Sequence, residues 1–203
     1  MHEKDSGLIE SVKNGMVTAI KGTGDVAQAA VDTVTKTLST TAKDVGKTGA
    51  SVADAAASVA KGVIQGTTGV GAHVGHAAKG TVIGVLRATK HTGAEAIETI
   101  GHTARTLVRS TSEVGGELGH AATGAVEGAI SAAKDVSVRA EDAASAAAHG
   151  ALHAADKVGS TALNTVRKAM KETISGVKVV LKAPFDKEYK SSDAGGNRVA
   201  HTR

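Results

Sequence analysis

Residues 70–90 read VGAHVGHAAKGTVIGVLRATK, and residues 114–134 read VGGELGHAATGAVEGAISAAK. The two share V-G, G-H-A-A, a following Gly and a final Lys at an offset of 44. Halving that offset exposes a unit of 22 residues, with seven copies starting at Val26, Thr48, Val70, Thr92, Val114, Val136 and Val158. Positions 1, 5, 9, 13, 17 and 20 of every copy carry Thr or an apolar residue. Position 9, for example, reads Val34, Ala56, Ala78, Ile100, Ala122, Ala144, Val166. None of these 42 sites is charged, His or Gly, whereas random placement of the charged residues between 26 and 179 puts about 8 there.

The spacing 4, 4, 4, 4, 3, 3 makes six turns in 22 residues, about 3.67 per turn and close to the α-helical 3.6. A doubled eleven-residue period keeps one stripe nearly straight along a helix, or gently right-handed where helices pair. No segment shows the period of 2 that strands require. The expected fold class is therefore all-α: long amphipathic helices from 22-residue (2 × 11) repeats. These form a rod, helical hairpins or a loose bundle, conditionally disordered in solution. If compact, the helices run antiparallel and turn at glycine-rich points such as Gly66 to Gly71.

Three segments are expected. Residues 1–25 hold an amphipathic helix, with Leu8, Ile9, Val12, Met16, Val17 and Ile20 on one face, and a break at Lys21 to Asp25. Residues 26–179 hold the seven helical repeats. Residues 180–203 hold a short apolar end and a polar, disordered tail. The apolar run from Ile174 is expected to be helical and to stop before Pro184, because the residue before Pro disfavours the α region.

Composition narrows the function classes. The chain has one Phe, one Tyr, no Trp and no Cys, so thick aromatic cores, disulfides and zinc thiolates are ruled out. The net charge of +4 is spread over 24 basic and 20 acidic residues. Nucleic-acid binding needs a basic stripe, usually with aromatics, and none is present. There is no apolar segment of signal or membrane-spanning length, which points to a cytoplasmic protein, free or peripheral on a membrane or granule surface.

The repeat also disposes of several tempting motifs. Gly69, Gly71 and Gly75 imitate a dinucleotide turn, but Gly71 belongs to the periodic series Gly49, Gly71, Gly93, Gly115, Gly159 at position 2, and no strand precedes it. Lys79 precedes Gly80 rather than following it, unlike a phosphate loop. His73, His76, His91, His102, His120, His149 and His153 fall opposite the stripe, spread along a polar face. The i, i+3 pair His73/His76 or the i, i+4 pair His149/His153 would at most hold a transition metal weakly. Asp54, Glu98 and Asp142 recur at position 7 as solvated charges. Glu141 stands beside the stripe where other copies have Val31, Ile97 or Leu163. No catalytic residue, metal site, cofactor or small-molecule substrate is expected, and the chain reads as a non-enzyme.

Nineteen glycines lie within the repeats. At about 1 kcal/mol each relative to Ala, they make a bare helix roughly 20 kcal/mol worse than an alanine-rich one. The stripe must therefore meet a partner. Its candidate residues are Leu8, Ile9, Val12, Val17, Ile20, Val34, Leu38, Val52, Ile64, Val74, Val82, Leu86, Ile100, Val108, Leu118, Val126, Ile130, Leu152, Val166, Met170 and Ile174. The partner is a lipid or granule surface, or the chain itself through helix–helix contact.

The segments TAKDVGKT (41–48), AAKDVS (132–137) and AADKVGST (154–161) resemble eleven-residue amphipathic repeat proteins: synucleins, perilipins, exchangeable apolipoproteins and group 3 late embryogenesis abundant proteins. The resemblance implies reversible binding to membrane, lipid-droplet or storage-granule surfaces, stress protection, and disorder in solution. The alternative is a structural module that self-associates as a coiled coil or bundle.

Overall fold

The computed structural model describes residues 2–48, 52–89, 93–171 and 173–179. The described chain is predominantly helical. It forms α1 (His2–Thr23), α2 (Val26–Thr48), α3 (Val52–Gly69), α4 (Val74–Thr89), α5 (Gly93–Glu113), α6 (Leu118–Ala132), α7 (Ala140–Val158) and α8 (Ser160–Met170), with a short 3-10 turn at Lys134–Val136. From α2 onward the helices start at intervals close to the 22-residue period. A rod is not what forms: successive helices pack against one another.

The turns have local causes. The backbone is left-handed at Gly24 (φ 70°), Gly71 (φ 66°) and Gly115 (φ 69°), where a Cβ is strained. Asp25 caps α2, its Oδ1 accepting from the amides of Ala27 and Gln28 at 2.9 and 3.0 Å. Gly71 thus turns the chain between α3 and α4. Gly66, expected at the same turn, instead lies inside α3.

Helices alternate between two layers. α1, α3, α5 and α7 pack side by side in one layer, and α2, α4, α6 and α8 in the other, with consecutive helices meeting between layers. Every second helix is therefore a lateral neighbour, which is why the sequence matches best at 44 residues rather than 22. Neighbours within a layer run parallel: Gly62 and Gly66 lie on Ile9 to Met16, and Gly80 and Gly84 on Ala27 to Val34.

The core occupies the space between the layers as two apolar clusters, one joining α1 to α4 and a larger one reaching from α3 to Val179. Of 45 buried apolar residues among those described, 23 are Ala. A core of methyl groups closes only if backbones come near one another. Buried Thr67 and Thr81 fit within it because their hydroxyls donate to the carbonyls of Val63 and Ala77, four residues earlier, at 2.8 and 2.7 Å.

The helix expected from Ile174 is corrected. α8 ends at Met170, and Thr173–Ile174 pairs antiparallel with Val177–Lys178. Ser175 (φ 49°) and Gly176 (φ 79°) form a two-residue turn with both φ positive, the geometry that matches strand twist. β-branched Val177 and Val179 then favour extension over helix. The expectations for Pro184 and the tail lie outside the described residues.

Candidate functional site

The apolar stripe is the only feature the sequence offers as a site, and the fold turns it inward. Positions 9 and 13 of the repeat are buried in all seven copies, among them Val34, Leu38, Val82, Ile100, Val126, Val166 and Met170. Val12, Ile64, Leu86, Val108, Leu152 and Ile174 are buried as well. Leu8, Ile9, Val17, Ile20, Val74, Leu118 and Ile130 are half-buried, and the side chain of Val52 lies outside the described residues. In the described structure these residues pack against other helices of the same chain. Val158, a stripe position, is the exception at 45% exposure, because it ends α7 where the chain turns outward at Gly159.

Position 7 gives the complementary result. Asp32, Asp54, His76, Glu98, His120, Asp142 and Asn164 are all exposed. Glu141, beside the stripe in sequence, sits in the exposed first turn of α7, where an acid is favoured by the helix dipole, and lies 3.7 Å from Arg139.

A second apolar row runs beside the first. Positions 8, 12 and 16 are also uncharged in every copy, and they bury Ala55, Val59, Val63, Val85, Leu107, Ala147 and Ala151. The stripe is therefore broad enough to meet a lateral neighbour and the opposite layer together.

The glycines required the largest change of meaning. A Cβ on Gly62 would stand 2.7 Å from the Ile9 carbonyl oxygen, and one on Gly66 2.8 Å from that of Lys13. Gly80 lies likewise on Ala27, Gly124 on Gly75, and Gly150 on Gly101. Residues read as weakening a lone helix are the seams within each layer. They resemble the small-residue contacts that let helix backbones approach closely.

Two ion pairs join neighbours within a layer: Lys61 to Glu113 at 3.0 Å, between α3 and α5 where no glycine seam lies, and Lys79 to Glu127 at 3.4 Å, across the α4–α6 seam. The hydrogen bond from Lys61 holds the Glu113 carboxyl below its ordinary value of 4.5, against the opposing effect of partial burial and with help from Arg109. A carboxyl whose pKa is depressed on folding adds stability above the unfolded pKa, and that contribution is lost as pH falls through the folded value. Glu113→Gln is expected to flatten the stability profile below about pH 4.5. The pair is partly exposed, so the loss stays under about 1 kcal/mol at neutral pH. Urea unfolding of both proteins between pH 3 and 7 measures it, and parallel profiles would contradict the assignment.

Among the described residues, the buried side-chain atoms Thr111 Oγ1 and Arg167 Nε have no hydrogen-bond partner. Arg167 is only 6% exposed and reaches Asn164 Oδ1 at 3.3 Å. Nothing in the repeat pattern signals a buried cation at that position. Among the described residues, no helix is long and apolar enough to cross a membrane.

No family model, curated protein or solved structure matches the chain. Any functional reading therefore rests on the residues themselves.

Proposed function

We propose that the chain is a non-enzymatic amphipathic-helix protein that binds lipid or another apolar surface, such as a membrane, lipid droplet or storage granule, by opening its two layers. The observation that carries this reading is the composition of the core. Half of its buried apolar residues are Ala, so each helix gains little apolar area from its neighbours and is cheap to transfer to another apolar surface. The closed form offers such a surface little, since Ile97 and Val158 are the exposed large apolar side chains among the described residues. Binding then requires the open form, and apparent affinity scales with its population.

Because the closed form is already helical, little helix is gained on lipid; what changes is protection of the amides in the seams. With anionic vesicles or a neutral emulsion, amide exchange in α3 to α7 is expected to accelerate on binding. A variant destabilised by 1.4 kcal/mol is expected to bind up to about tenfold more tightly, because the open fraction rises in proportion. Absence of binding to either surface, or affinity indifferent to stability, would sink the proposal.

The second reading is a structural module built by helix self-association. It draws support from the glycine seams, whose close fit is of use only while the helices remain packed. Under it, destabilised variants gain no lipid affinity.

A further inference from the structure

The last contact in the layer of α2, α4, α6 and α8 is built differently from those before it. Position 11 of the repeat is Gly80 in α4 and Gly124 in α6, each resting on the backbone of the previous helix in the layer; in α8 it is Lys168. Position 6 shows the consequence. A Cβ on Gly75 of α4 would stand 3.0 Å from the His120 carbonyl oxygen of α6, whereas one on Gly119 of α6 would meet the side chains of Thr165 and Ala169 of α8 at 3.7 and 3.8 Å, ordinary contacts. Helix α8 stands off from α6, and a groove of about 640 Å³ lined by Gly119, Thr123, Lys168, Ala169 and Ile174 lies along the gap.

Helix α8 is also weakly held in its own right. At 11 residues it is the shortest of the described helices, below the roughly 12–15 residues at which an isolated helix is even marginal in water. Its N-cap, Gly159, makes no side-chain cap and has φ 142°, a backbone that favours glycine. Its seat carries a cost as well. Arg167 is 6% exposed, its Nε lacks a hydrogen-bond partner, and among the described residues no carboxylate pairs with it. Lys79, at the same repeat position 10 in α4, pairs with Glu127 on the next helix of its layer. No described helix follows α8 in that layer, so Arg167 meets no such acid. A buried cation without a carboxylate destabilises the closed state, and exposure to water relieves that cost.

We propose that α8 and the hairpin after it are the part of the chain that opens first, turning about Gly159, and that the opened α8 seats on an anionic lipid surface. This rests on the lipid-binding reading above and names the segment that carries it. Opening uncovers Leu163, Val166 and Met170, larger side chains than the Ala residues that fill most of the buried face of α7. Beside them stand Arg167 and Lys168, and the helix contains no acid.

An apolar face flanked by cations lies in the plane of a headgroup interface, and a guanidinium grips a lipid phosphate through two parallel hydrogen bonds. Arg167 therefore acts twice: unpaired, it weakens the closed seat, and paired with phosphate it strengthens the bound one. The helices behind α8 keep their glycine seams. They loosen only after α8 has left, so α8 loses amide protection before α3 to α7 do.

The test uses the full chain, which has no Cys of its own. In Gly119→Cys/Ala169→Cys the two Cβ atoms stand 3.8 Å apart, a separation that a disulfide accepts, so oxidation clamps α8 to α6 and reduction frees it. Without lipid, amide exchange is expected to be faster in α8 than in α3 to α7. The oxidised clamp and Arg167→Met should each slow it in α8 and leave it unchanged in α1 and α2. On vesicles of phosphatidylserine and phosphatidylcholine, the oxidised clamp and Arg167→Met should each bind about tenfold more weakly, with reduction restoring the first. Circular dichroism verifies the fold of each variant. Faster α8 exchange in Arg167→Met, or equal vesicle binding by the oxidised and reduced clamp, overturns the proposal while the lipid-binding reading stands. Vesicle binding by no form of the chain overturns that reading and the surface role of α8 together.

Discussion

Gly124→Ala lowers the stability of the chain by about 2–3 kcal/mol, the cost of forcing atoms into a closed contact, while Gly15→Ala raises it by up to about 1 kcal/mol. Both residues are helical glycines, and for an isolated helix both substitutions are favourable because Ala is the better helix former. The difference is tertiary. A Cβ on Gly124 runs into the Gly75 backbone, atoms that cannot rotate away, so α4 and α6 must separate. On exposed Gly15 it meets Thr33 Cγ2 at 3.7 Å, an ordinary contact. Thermal unfolding should show melting points moving in opposite directions, by roughly 2–4 °C per kcal/mol for a chain of this size. If Gly124→Ala stabilises, the seams do not exist in solution and the single-helix reading of the glycines returns.

Leu152→Ala is expected to cost about 3–4 kcal/mol, near the upper end of what one buried leucine contributes. Leu152 is fully buried in α7 and is among the largest such side chains in a core otherwise rich in Ala. Small neighbours on rigid, closely packed helices cannot collapse into the space it leaves, so the cavity term adds to the transfer term. Leu118→Ala, at a half-buried stripe position, should cost less than half as much. Urea unfolding of the two variants makes the comparison. A loss below 1 kcal/mol at Leu152 would mean that the layers pack as a fluid assembly rather than a fixed core.

The helices were legible because burial and exposure follow the period strictly: positions 9 and 13 are inside in every copy, and position 7 is outside in every copy. The short hairpin after Thr173 was missed because the Val-rich run suits a helix face as well as a strand. Its turn is decided by Ser175 and Gly176, which occupy only two residues. The contact between the rings of His73 and His120, 6.4 Å apart, is illegible in the sequence for another reason. Sequence spacing within one helix says nothing about which other helix lies beside it.

What the sequence alone determined is which face of each helix avoids water, because a periodic absence of charge records desolvation directly. What only the tertiary structure decided is what that face meets. One stripe satisfies a lipid surface, a second chain or the chain's own helices equally well, since apolar burial carries no direction. In the fold it meets the chain's own helices, whose backbones approach one another at Gly62, Gly80, Gly124 and Gly150. These contacts join residues about fifty positions apart, and they turn the glycines from a local cost into the seams of the fold.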